Sequence, residues 1–245
     1  MQTRSHRLGL VLTDRDKELF RYLFLQKIAR IEDIRLDVFG GVSRQAVHRR
    51  VLKLAEERYL ECTYLPGREG SLAYSLGSRA FRESIAEKGV LPREQRRSAA
   101  PFHDLALLQI RRWLLSQSRV QAFYSENGIA AGIFDDFDGV KALGALNSDA
   151  IVKVEFGGRS VLLPLEYEAS EKFAARYERT VKRYYAEQKV EAVLVVAKKM
   201  QTIEKIMRIE SREKAPHRFF YLLWDESTER AKFRNLDGVE LNLNG

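Results

Sequence analysis

Six consecutive apolar residues at 192–197 (AVLVVA) constrain the fold of this 245-residue chain more than any other feature. A strand that is apolar at every position has no face to offer water, so it needs layers on both sides of its sheet. The stretch 219–224 (FFYLLW) reads as another core strand. Residues 150–156 and 160–167 read as adjacent strands joined at Gly157-Gly158, a hairpin signal. A strand is expected over 120–124, and the apolar stretch 129–134 has no assignable type. Helices are expected over 102–117, from a cap at Ser170 to about 188, and over 202–211. The order α-β-β-β-α-β-α-β predicts a mixed α/β sheet with helices on both sides.

The first 90 residues follow a different pattern. Thr13 and Asp16 make a capping box before a helix over 15–25, whose Leu19, Phe20, Leu23 and Phe24 share one face. A short helix over 31–38 follows, then the turn FGGVS, where Gly40 and Gly41 allow positive φ and Ser43 suits an N-cap. The third helix, 43–57, has an inward stripe of Val47, Val51 and Leu54. Beyond it ECTYLPGREGSLAYSLG reads as a two-stranded hairpin, and a further helix is expected over 78–88. Helix, helix, turn, helix and hairpin is the layout of a winged helix-turn-helix.

Charge divides in the same place. The whole chain carries 42 basic and 34 acidic side chains, a net charge of +8. Residues 1–100 hold 20 basic and 13 acidic ones, whereas 101–245 hold 22 and 21. The surplus therefore sits in the first hundred residues, where a polyanion-binding surface is expected. The segment 91–101, rich in proline, small residues and arginine, is the expected linker between domains at 8–90 and 102–245. A lone cysteine, Cys62, excludes an intramolecular disulfide and a multi-cysteine zinc cluster. No apolar run approaches the ~20 residues of a membrane span, and no signal-like leader opens the chain. A cytoplasmic protein with no membrane partner is expected.

Two sets of residues carry candidate chemistry. In a helix-turn-helix the second helix presents its N-terminal side chains to base edges. Ser43, Arg44, Gln45, His48, Arg49 and Lys53 lie on that helix, and Arg68 at the hairpin tip. Arg44 suits guanine and Gln45 adenine, while Arg49, Lys53 and Arg68 suit phosphate. The bland alternative is a solvated polar face in a protein–protein adaptor. The second set is acidic: Asp149 precedes one strand, and Glu166 and Glu168 sit two apart on the next, facing the same side. Converging carboxylates suit Mg²⁺ or Mn²⁺; otherwise they are solvated or paired with the basic helix that follows.

The segments LTDRDKELFRYLFLQKIARIEDI and VSRQAVHRRVLKLAEERYL resemble the winged helix of the replication-relaxation family of plasmids and mobile elements. The pieces HDLAL, SDAIV, LLPLEYEAS and KRYY are similar to that family's second domain, which resembles the restriction-endonuclease-like PD-(D/E)xK fold. The resemblance implies an α-β-β-β-α-β core in which Asp149 matches the family aspartate, Glu166 the strand acid, and Lys182 with Tyr184 the helix positions. An active site of that kind has lysine two residues after the strand acid, where this chain has Glu168. Lys172 or Lys182 would have to substitute. The expectation is therefore a sequence-specific binder of double-stranded DNA with a degenerate nuclease-like domain. It would act in replication, mobilisation or transcriptional control, as a homodimer on paired half-sites. DNA binding itself would need no cofactor, and no small-molecule substrate is evident. The enzyme alternative is a metal-dependent DNA endonuclease or nickase using Asp149, Glu166, Glu168 and a lysine.

Overall fold

A computed structural model describes residues 10–66, 71–134, 137–225 and 232–244, without the side chains of 137 and 138. The chain divides into two compact units, Met1–Leu105 and Ala106–Gly245.

The first unit runs α1 (Asp14–Gln26), β1 (Ala29–Arg30), α2 (Ile31–Asp37), α3 (Arg44–Glu56), β2 (Leu60–Tyr64) and β3 (Leu72–Leu76). Thr13 and Asp16 form the expected capping box at the start of α1. Leu19, Phe20, Leu23 and Phe24 are all buried, as are Val47, Val51 and Leu54 of α3. The strands form an antiparallel sheet in the order β1-β3-β2, with Ala29 opposite Tyr74 and Leu60 opposite Leu76. Three helices and a three-stranded antiparallel sheet thus follow one another in the order that the sequence suggested. The helix expected over 78–88 is a composite: α4 (Ser78–Ala80) runs into a π-helical turn, Phe81–Ile85, and a 3₁₀ turn, Ala86–Lys88. Residues 91–101, read from the sequence as a linker, are tied down: Arg97 pairs with Glu61 at 2.7 Å and Gln95 Nε2 donates to the Leu76 carbonyl at 3.4 Å.

The second unit is built on a seven-stranded mixed sheet. Its elements are α5 (Pro101–Leu115), β4 (Val120–Ser125), α6 (Glu126–Ala131), α7 (Phe137–Gly144), β5 (Ala150–Phe156), β6 (Arg159–Glu168), α8 (Ala174–Ala186), β7 (Val193–Ala197), α9 (Met200–Glu210), β8 (Phe219–Leu223), β9 (Phe233–Arg234) and β10 (Glu240–Leu241). The unit boundary falls within α5. The sheet order is β10-β9-β8-β7-β6-β5-β4. Strands β4, β5 and β6 form an antiparallel meander, and β6, β7 and β8 run parallel. The β5–β6 turn uses Gly157 and Gly158 at φ +57° and +78°, values open to glycine without strain. Every residue of β7 is buried, as its unbroken apolar run requires. Ile110 and Leu114 of α5 cover one sheet face, and Tyr177, Val181 and Tyr184 of α8 with Ile203 and Ile206 of α9 cover the other.

One expectation needs correction, and several elements are added. The helix after β6 begins at Ala174, with Phe173 and not Ser170 as its N-cap, so Lys172 lies in the connecting loop. The stretch 129–134 of unassigned type is the end of a helix, α6, and its exit. α7, β9 and β10 are additional elements.

One buried acid organises the far end of this unit. Glu210, the last residue of α9, has no solvent exposure. It accepts from the hydroxyls of Tyr185 at 2.8 Å and Tyr221 at 2.7 Å, and from the backbone N–H groups of Arg218 and Phe219, each at 3.0 Å. Four donors satisfy a charge that would otherwise be costly to bury. Burial, with the nearby Glu210 carboxylate, pushes both tyrosines well above the ordinary phenol range.

Candidate nucleic-acid interface and carboxylate cluster

Helix α3 starts at Ser43, whose Oγ accepts the Ala46 N–H at 3.3 Å. Its buried stripe of Val47, Val51 and Leu54 fixes which residues face outward. Arg44, Gln45, His48, Arg49 and Lys53 are all exposed. Arg44, Arg49 and Lys53 form no salt bridge among the described residues. Arg50, one residue further round, does the opposite. Its guanidinium grips the buried carboxylate of Asp16, with Nε at 2.9 Å from Oδ1, and so binds α3 to α1. Burial alone would raise the Asp16 pKa; the hydrogen bonds from Arg50 and Thr13 outweigh it and hold the carboxyl below its ordinary range.

Between the start of α3 and the sheet lies a cavity of about 170 Å³, lined by Ile31, Arg44, Gln45, His48, Leu72 and Tyr74. Leu52, 39% exposed, lies amid the polar face of α3. Arg68 lies outside the described residues.

The acidic residues lie near enough to influence one another's charge. Ala150 pairs with Leu165, which sets Asp149 beside Glu166 at the next step of the ladder. The Asp149 N–H donates to the Leu165 carbonyl at 3.0 Å, and its Oδ2 accepts the Tyr167 N–H at 2.7 Å. Glu166 Oε1 accepts from the Tyr184 hydroxyl at 2.5 Å and from Arg183 at 3.0 Å. Lys172 Nζ stands 2.6 Å from Glu168 Oε2. Burial, reinforced by the charge of Asp149, raises the Glu166 pKa from 4.5 to about 8 against the pull of Tyr184 and Arg183. Burial also raises Glu168, opposed by Lys172.

Of the two lysines expected to substitute, Lys172 reaches the cluster, at Glu168, and Lys182 does not. Lys182 is exposed, whereas Arg183 and Tyr184 reach Glu166. Arg183 went unnoticed in the sequence, although it is adjacent to the inward stripe of Tyr177, Val181 and Tyr184. These internal partners bear on metal binding. Among the described residues no group of three or more His, Cys, Asp or Glu side chains is arranged to hold a metal ion. Glu166 is bonded to a phenol and a guanidinium, and Glu168 to an ammonium, so the arrangement does not fit Mg²⁺ or Mn²⁺.

No protein-family model matches the chain, and no curated protein does. Among solved structures, that of a mutant of ZitR from Lactococcus lactis is similar at 17% identity with a TM-score of 0.27. The likeness covers 36% of this chain and 59% of that one. No described helix is long and apolar enough to cross a membrane.

Proposed function

We propose that this protein binds double-stranded DNA through α3, with Arg44 and Gln45 reading base edges and Arg49 and Lys53 holding phosphates. The observation that carries this reading is the contrast along one helix. Arg50 is spent on a buried carboxylate, while Arg44, Arg49 and Lys53 stand exposed and form no salt bridge among the described residues. A homodimer on paired half-sites and a role in replication, mobilisation or transcriptional control of a plasmid-type element complete the proposal, with Arg68 as a backbone contact. The chain would belong with the replication-relaxation proteins it resembles, and its second unit would be a nuclease-like scaffold.

The test is selection of bound sequences from a random duplex pool. Replacing Arg44 and Gln45 by alanine should relax the selected sequence, each good base contact being worth about 1–3 kcal/mol. An unchanged sequence logo and affinity in an Arg44→Ala/Gln45→Ala/Arg49→Ala variant would remove the assignment.

The endonuclease reading is kept alive by one contact, that of Lys172 with Glu168. Incubation with supercoiled plasmid and Mg²⁺ or Mn²⁺ decides it. No nicking is expected, because Glu166 is already bonded to Tyr184 and Arg183. Nicking that disappears in Asp149→Ala would establish the enzyme.

A further inference from the structure

The outward face of α8 carries a charge pattern that the winged-helix reading leaves unused. Tyr177, Val181 and Tyr184 turn into the core. Arg176, Arg179 and Lys182 are left exposed on the opposite side, three residues apart. At the helical rise they span about 9 Å. None of the three forms a salt bridge among the described residues; Arg179 Nε donates only to the Ala175 carbonyl of its own helix, at 3.4 Å.

The neighbouring acids are engaged elsewhere. Glu178 faces Arg212 at 3.4 Å, Glu171 faces Lys205 at 2.6 Å, and Glu168 and Glu166 have Lys172 and Arg183. The row thus has no salt-bridge partner among the described residues, although the Glu168 carboxylate acts on Arg176 through space. At its head stands Phe173, 90% exposed, whose carbonyl accepts the Arg176 N–H at 3.0 Å.

Cations that can follow a phosphate chain, beside an aromatic ring left in water, are the combination that holds single-stranded nucleic acid. The charges track the backbone and the ring stacks on a base. A membrane surface fits less well, because the apolar face of α8 is inside the core and has nothing to insert. An acidic peptide would use the cations and leave Phe173 without a role. We propose that α8 and Phe173 form a second nucleic-acid contact, specific for single-stranded DNA: Arg176, Arg179 and Lys182 hold its phosphates and Phe173 stacks on a base.

The experiment measures binding of the full chain to an oligodeoxythymidylate over a range of salt concentrations. An Arg176→Gln/Arg179→Gln/Lys182→Gln variant should flatten the log–log salt dependence by about 2, at ~0.7 for each phosphate no longer neutralised. Phe173→Ala should weaken binding about tenfold with little change of slope, and Phe173→Trp should restore it. The Arg44→Ala/Gln45→Ala/Arg49→Ala variant should retain oligodeoxythymidylate binding while losing duplex preference. Phe173 and the three α8 cations are all exposed, so thermal melts should match wild type and report intact folding. Failure of the wild-type chain to bind the oligonucleotide would overturn the inference. So would a wild-type slope in the α8 variant, or loss of binding in the α3 variant alone. An α8 variant weakened only toward duplex would overturn the single-strand assignment.

Discussion

Glu166 is under opposing demands. Burial and the Asp149 charge favour its neutral form, while Tyr184 and Arg183 favour the ionised one, and the balance lies at about 8. A carboxyl whose pKa is higher in the folded than in the unfolded chain contributes stability that is complete below the unfolded value and lost as pH rises through the folded one. For Glu166 that window runs from 4.5 to about 8. The melting temperature should therefore fall by several degrees across this range from this group. Glu166→Gln, always neutral, should flatten the curve over the same interval, read by circular dichroism melts in a pH series; parallel curves would refute the shift. The adjacency of Asp149, Glu166 and Glu168 was legible in the sequence, because strand alternation and the Gly157-Gly158 turn dictate it. Of their counter-charges Lys172 was legible and Arg183 was not. Choosing Arg183 over Lys182 depends on helix phase, and the exposed Lys182 and inward-leaning Arg183 differ by a single step.

At the scale of elements, the join between α1 and α3 is a side-chain device. Asp16 closes the capping box of α1 and receives Arg50 from α3, so one carboxylate serves both helices. Asp16→Ala would remove the carboxylate half of the capping box and deprive Arg50 of its buried carboxylate, at a cost of about 3–5 kcal/mol in urea unfolding. The exit of β3 offers a steric counterpart. A Cβ at Gly77 would meet the Arg58 carbonyl oxygen at 2.6 Å and that of Tyr59 at 2.7 Å. Gly77→Ala should destabilise by about 1–3 kcal/mol because the obstacle is backbone, which cannot swing aside. Long periodic segments such as α1, α3, β5 and β7 were readable to within a residue or two, since a buried face leaves a period. β9 and β10, two residues each, leave none. α8 was misplaced because Ser170 has the chemistry of a cap. Residues 170–173 instead stay non-helical, where the Lys172 N–H donates to the Tyr177 hydroxyl at 2.9 Å and its ammonium reaches Glu168.

For the whole molecule, two compact units with separate cores invite separate unfolding events. Scanning calorimetry should resolve two transitions, Asp16→Ala lowering one and Glu166→Gln altering the other's pH response. Their acid behaviour should also diverge. The stability that Asp16 lends, its pKa being depressed, is present above about 3.8 and lost as pH falls below it, the reverse of Glu166. A single cooperative transition, shifted by both substitutions alike, would show the units to be energetically fused. The second unit has its own point of concentration in Glu210, which gathers two tyrosine hydroxyls and two backbone amides. The Arg218 amide lies outside β8, where a connecting segment would ordinarily trade its proton with solvent quickly. Held by Glu210, it should instead take up deuterium as slowly as the amides of β7, and Glu210→Ala should release it together with Phe219. The lifetime of the start of β8 is thus set by one side chain on the helix that precedes it.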